Sequence, residues 1–108
     1  MKEWCHSVIA TPERIAIPIM THPGIELCGK TVKQAVTNGE THAEAICKLN
    51  EVYPAAASTV IMDLTVEAEC FGSEIVFAEN EVPNVVGRLV HDHASIVALP
   101  VPSIQSGR

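Results

Sequence analysis

The chain has 108 residues, enough for one small domain or part of a larger one and too few for two cores. Apolar residues make up 47% and charged residues 19%, which excludes a disordered or collagen-like chain. Seven basic against 13 acidic residues give a net charge of −6, and only Lys30–Lys33 and Arg88 are locally basic. Nucleic-acid and anionic-membrane surfaces need clustered Lys and Arg, so small molecules or other proteins are the expected partners.

Met1–His6 carries a charge pair with no long apolar stretch behind it, so no signal peptide is expected. No apolar run approaches the roughly 18 residues that cross a bilayer. The four cysteines are scattered without a Cys-x-x-Cys, which suits reduced thiols in a cytoplasm. Cys28, Cys47 and Cys70 are expected to be small buried hydrophobes.

Ile15–Met20 is a short apolar run interrupted by Pro18 and reads as a strand. Thr21-His22-Pro23-Gly24 reads as a turn, with Pro and Gly supplying preset and positive φ values. Thr31–Thr37 reads as a short helix with Thr31 as N-cap and Asn38-Gly39 as a left-handed stop. Thr41 and Glu44 have capping-box spacing for the next helix. Ala45, Ile46, Leu49 and Tyr53 recur on one face of it, with His42, Lys48 and Glu51 away from that face, until Pro54 stops it.

Ser58–Asp63 is β-branched and apolar on both faces, as a strand of a helix-covered parallel sheet would be. Thr65 can cap a helix running to Phe71 and closed by Gly72. Glu74–Ala78 and Val85–Val90 read as two more strands, and Asp92–Leu99 as a helix halted by Pro100 and Pro102. The alternation favours α/β architecture, yet so few parallel strands leave open edges and no closing element. The pattern is that of an unfinished barrel.

Two stretches carry a family resemblance. One is Pro18-Ile19-Met20-Thr21-His22-Pro23-Gly24-Ile25-Glu26-Leu27 with Gly29-Lys30-Thr31. The other is Met62-Asp63-Leu64-Thr65-Val66-Glu67-Ala68-Glu69 with Phe71-Gly72, then Val82-Pro83 and Gly87. Together they resemble the N-terminal part of the uroporphyrinogen decarboxylase superfamily, closer to its corrinoid-dependent methyltransferase-like branch than to the haem-pathway decarboxylases. The resemblance implies the first third of a (β/α)8 barrel across residues 1–108, in a fold that typically needs about 250 residues. Chemistry in such barrels sits at the C-terminal ends of the strands, where His22 and Asp63 would fall.

Asp63 matches the aspartate that binds the pyrrole N–H groups of the decarboxylase substrate. A carboxylate suits that task because it only accepts and can take several donors. Without the resemblance, a turn or helix-cap role for Asp63 would rank first. His22 stands where the decarboxylases carry an arginine-bearing turn that holds substrate carboxylates. This chain departs from that pattern, which argues against porphyrinogen decarboxylation; an ordinary turn histidine is an equal alternative. Glu67 and Glu69 would point some 160–200° apart on a helix, at about 100° per residue. Glu67 could face the barrel mouth, while Glu69 is expected in solvent.

His91-Asp92-His93 offers two ligands without a third, so a polar loop is the expected reading. The corrinoid branch holds zinc through a His-x-Cys and a later Cys, and no His-x-Cys occurs here. Gly24–Thr31 satisfies the phosphate-loop pattern literally, but Ile25, Glu26 and Leu27 bring bulk and negative charge where small residues are needed.

Taken together, Asp63 is the expected catalytic group, with His22, Asp63 and Glu67 facing substrate. No cofactor is expected within the chain, although the resemblance implies corrinoid and zinc in full-length relatives. The implied partner is a small molecule, a corrinoid protein or the remainder of the barrel. The implied activity is methyl transfer from a corrinoid to a thiol, with tetrapyrrole decarboxylation or a non-catalytic binding subunit as alternatives. A chain without the second half of the barrel is expected to be inactive alone.

Overall fold

The computed structural model describes all residues from Met1 to Arg108. Six helices and two short strands follow in the order α1 (Lys2–Ala10), α2 (His22–Leu27), α3 (Val32–Thr37), α4 (Gly39–Val52), α5 (Val66–Cys70), β1 (Glu74–Val76), β2 (Asn84–Val86) and α6 (His93–Ala98). The core lies among α2, α3 and α4, where Ile25, Val32, Ala35 and Ala45 are buried together with Ile61. No residue of α1, α5, β1, β2 or α6 belongs to that core. The radius of gyration is 18.0 Å, against about 13 Å for a closed domain of this length. The accessible surface of 8102 Å² exceeds the roughly 5,800 Å² expected of a closed 11.6 kDa domain.

Local sequence accounts for the helix ends. Thr31 accepts from the Gln34 amide at 3.2 Å while the Gln34 side chain accepts from the Thr31 amide at 2.9 Å, a complete capping box. Thr31→Ala is expected to destabilise α3 by about 1 kcal/mol, read as lower denaturant midpoints at unchanged m-value. Asn38 does not end α3 in a left-handed conformation. With φ −140° it is extended, and its side chain accepts from the Thr41 amide at 2.9 Å, making it the N-cap of α4. Thr41 and Glu44 therefore lie inside α4 rather than at its cap. Asn38 wins because an Asn side chain reaches the orphan amide three residues on, and Gly39 then enters the helix. Before Pro54 the helix stops as expected.

Thr21-His22-Pro23-Gly24 is not an open turn. Thr21 is the N-cap of α2, Pro23 sits in its first turn where a missing N–H costs nothing, and Gly24 is a buried helical residue. Its use is steric. A Cβ on Gly24 would lie 2.2 Å from the Ala45 carbonyl oxygen, so glycine is what lets α2 press onto α4. Gly72 does take the left-handed φ of +99° expected of a residue that closes α5.

The two apolar runs expected as barrel strands, Ile15–Met20 and Ser58–Asp63, lie outside any sheet. No backbone–backbone hydrogen bond involves Glu13–Met20 or Ala56–Leu64. The one sheet is a hairpin, with Glu74 opposite Val86 and Val76 opposite Asn84 in antiparallel register. Parallel strands need partner strands beside them and helices on both faces, and here only one face of Ser58–Leu64 is covered. Ile61 is buried against the helices, while Val60, Met62 and Leu64 are 69%, 65% and 77% exposed. Alternation of this kind is strand-like side-chain placement without a ladder. The hairpin closes locally because its two strands are near in sequence.

α1 was not expected from the sequence. It buries no residue and has no side-chain cap at its start; the Ser7 hydroxyl donates to the Trp4 carbonyl within it, and the Thr11 hydroxyl donates to the Ser7 carbonyl at its end. Asp92 caps α6 through a capping box with Ser95, so His91-Asp92-His93 is a helix entry, with both histidines exposed. None of the three cysteines expected in the core is buried: Cys47 is exposed, Cys28 and Cys70 are half-buried, and all four thiols are free. No helix is long and apolar enough to cross a membrane.

Candidate functional site

Asp63 follows the extended Thr59–Met62 segment and precedes the turn into α5. Its Oδ1 accepts from the Thr65 amide at 2.9 Å and from the Thr65 hydroxyl at 2.7 Å. Its Oδ2 accepts from Nη1 of Arg108. A carboxylate offers about four lone-pair sites, so one acceptor position remains after these three bonds. Burial of Asp63 works against ionisation. The hydrogen bonds from Arg108 and Thr65 outweigh it and hold the carboxyl below its usual range, so it is an anion at neutral pH.

Arg108 is the hub of the network. Its Nε donates to Glu69 Oε2 at 2.7 Å, its Nη2 donates to the Thr65 hydroxyl at 2.8 Å, and its guanidinium carbon lies 4.8 Å from the centre of the Phe77 ring. This geometry is a cation–π contact on one side and a fork of ion pairs on the other. Burial opposes its charge, but Asp63 and Glu69 more than compensate and raise its pKa. The Thr65 hydroxyl is turned into this network, which is why it makes no capping bond to α5.

Two cavities meet at Asp63. The larger, an open cleft of about 500 Å³, is walled by Ile19, Val60, Met62 and Leu64, with Asp63 and Glu67 at its polar end. The smaller, about 160 Å³, is bordered by Val36, His42, Ile61, Asp63, Val66 and Arg108. Glu67 is exposed and shares the large cleft with Asp63, as the helical spacing implied. Glu69 is not simply solvated: on the other side of α5 it pairs with Arg108. His22 is exposed at the first position of α2 and borders neither of the cavities that Asp63 borders.

Three site residues, Arg108, Phe77 and His42, escaped the sequence reading. Arg108 reaches Asp63 across 45 positions, a distance that no local pattern encodes. His42 is different, because the signal was present. His42, Ala45 and Leu49 stand at i, i+3 and i+7 and so share a helix face. The structure turns His42 inward, where its Nε2 accepts from the Ile61 amide at 2.9 Å. The imidazole follows its helical spacing rather than its polarity, because a buried backbone amide gives its nitrogen a partner.

The phosphate-loop pattern is accounted for by the fold. Gly24–Leu27 is helical with Ile25 buried in the core, so these residues form no anion cradle. Nor does any group of three or more His, Cys, Asp or Glu converge to hold a metal ion.

The sequence profile of a family described as uroporphyrinogen decarboxylase (URO-D) matches residues 7–108. The chain belongs to the uroporphyrinogen decarboxylase family. No curated protein and no solved structure gives a significant match. Both the Met62–Glu69 run and the Thr21–Gly24 segment lie within the span matched by the uroporphyrinogen decarboxylase family. The mixed helix and strand content, the open surface and the unpaired extended segments are consistent with part of a larger uroporphyrinogen decarboxylase-type domain.

Proposed function

We propose that residues 1–108 form the first part of a (β/α)8 barrel whose carboxylate Asp63 receives N–H donors of a tetrapyrrole-derived ligand. The observation that carries this reading is the Asp63 carboxylate, held ionised beside an apolar-walled cleft with one acceptor position open. Pyrrole N–H groups of a porphyrinogen and amide N–H groups on a corrin rim present the same donor chemistry to it. Ile19, Val60, Met62 and Leu64 supply an apolar wall for one face of a flat macrocycle. Glu67, which shares the large cleft, is the other substrate-facing group in this reading, while His22 would reach substrate only if the rest of the barrel brought it there.

Of the two chemistries in the family, corrinoid-dependent methyl transfer to a thiol is the better supported. Decarboxylation of an acidic porphyrinogen needs cations to anchor its carboxylates, and Thr21-His22-Pro23-Gly24 contains no arginine. A corrinoid, when bound, supplies the cobalt that carries the methyl group. This chain's own part is to orient the macrocycle through Asp63 and to exclude water with the apolar wall. The residues present do not assemble a zinc site, so no step here runs through zinc. A corrinoid-carrying protein and the remainder of the barrel are the partners this reading requires, in a cytoplasmic setting.

Equilibrium dialysis against methylcobalamin and against uroporphyrin distinguishes the branches. Preferential retention of the corrinoid is expected, weakened about tenfold by Asp63→Asn, the loss of a charged hydrogen bond. Tighter retention of uroporphyrin, or formation of coproporphyrinogen from uroporphyrinogen, would reverse the ranking.

A further inference from the structure

Arg108 and Thr65 hold the Asp63 segment through its carboxylate, and one further side chain holds it through its backbone. Within Ala56–Leu64, the Ile61 amide is satisfied by the His42 imidazole at 2.9 Å, and no main-chain bond helps it. Ile61 is itself part of the core, and Asp63 follows two residues later on the same side of the extended chain. An imidazole nitrogen accepts a hydrogen bond only when it carries no proton. Nε2 must therefore be bare and the neutral ring protonated on Nδ1.

We propose that His42 is a positioning residue for Asp63 and that its protonation state operates the contact as a latch. With neutral His42 the Ile61 amide is tied to α4, which fixes the segment that presents Asp63. With protonated His42 two donors face one another across 2.9 Å, the bond is lost, and the segment is released from α4. Acid therefore works against the contact and its absence preserves it, because only the unprotonated ring can accept from the Ile61 amide. Around the shared cavity the charged groups are Asp63 of the segment and Arg108, paired with each other so that their fields on the ring oppose. α3 and α5 contribute only Val36 and Val66 there. The inference stands on the His42–Ile61 contact and does not depend on which ligand Asp63 receives.

The test is amide hydrogen exchange on the whole chain at pH 7.5 and 5.5, with protection corrected for the intrinsic pH dependence of exchange. The amide of Leu49, a buried residue of α4, reports whether the helical unit stays folded. Ile61 protection in the wild type is expected to fall roughly three- to tenfold at the lower pH, with Leu49 unchanged. His42→Gln keeps an uncharged acceptor and is expected to hold Ile61 protection constant across that range, whereas His42→Ala loses it at both pH values. A pH-independent Ile61 in the wild type would overturn the latch. So would a fall that persists in His42→Gln, or one that Leu49 shares. Should His42→Ala fail to fold, the comparison of wild type with His42→Gln still decides.

Discussion

Gly24→Ala is expected to be the most damaging single-methyl substitution in the chain. The added Cβ would stand 2.2 Å from the Ala45 carbonyl oxygen, 2.9 Å from its carbon and 3.0 Å from the Leu49 Cβ. The first two are backbone atoms of α4, which no rotamer change can move aside. Relief requires α2 to lift off α4, and that opens the packing of Ile25, the most deeply buried large side chain. Overpacking usually costs about 1–3 kcal/mol, and a clash with main chain belongs at or above the upper end. Urea unfolding followed by far-ultraviolet circular dichroism should show a loss of about 3 kcal/mol. A cost under about 1 kcal/mol would mean that α2 does not pack on α4 as described.

Asp63→Asn is expected to remove a pH-dependent contribution of about 2 kcal/mol, the scale of hydrogen bonds to a charged partner. The Asp63 and Arg108 side chains are only 8% and 12% exposed, so solvent screens their pairing weakly. Burial raises the Asp63 pKa, but Arg108 and Thr65 depress it further than burial lifts it. A depressed folded-state pKa means the contribution is fully present above the unfolded value, about 3.9, and disappears as pH falls through the folded one. Wild type should therefore exceed Asp63→Asn in stability from about pH 5 upward and converge with it in acid. Parallel denaturant titrations between pH 2.5 and 7 measure this. A constant difference across that range would show that the carboxylate charge is not what holds Arg108.

Helix ends were legible in the sequence wherever one short polar side chain could reach a local amide. Thr31 and Asp92 cap their helices as residue type and spacing imply, and Gly72 closes α5 with a positive φ. Where two candidates competed, local chemistry did not rank them: Asn38 took the α4 cap from Thr41. At Gly24 the residue type was informative and the reason was misjudged. Its freedom of φ is unused, and the missing Cβ is what matters, a property visible only once α4 lies against it. Strand character was readable in Ser58–Asp63 as a β-branched apolar run, while the alternation of buried and exposed side chains came only with the structure. Whether it became a strand depended on neighbours that supply hydrogen bonds, which these residues do not find.

The sequence alone determined the Thr31 cap, the Gly72 closure, the buried positions Ala45 and Leu49 of α4, and the resemblance to the family. These properties depend on residues within a few positions of one another, where spacing and side-chain type are sufficient. Only the tertiary structure decided what surrounds Asp63. Arg108, Phe77 and His42 arrive from 45, 14 and 21 positions away, and their meeting is set by how α4, α5 and the C-terminal segment pack. Electrostatic and hydrogen-bond partners of a partly buried carboxylate are long-range choices, made by the shape of the core rather than by adjacent residues.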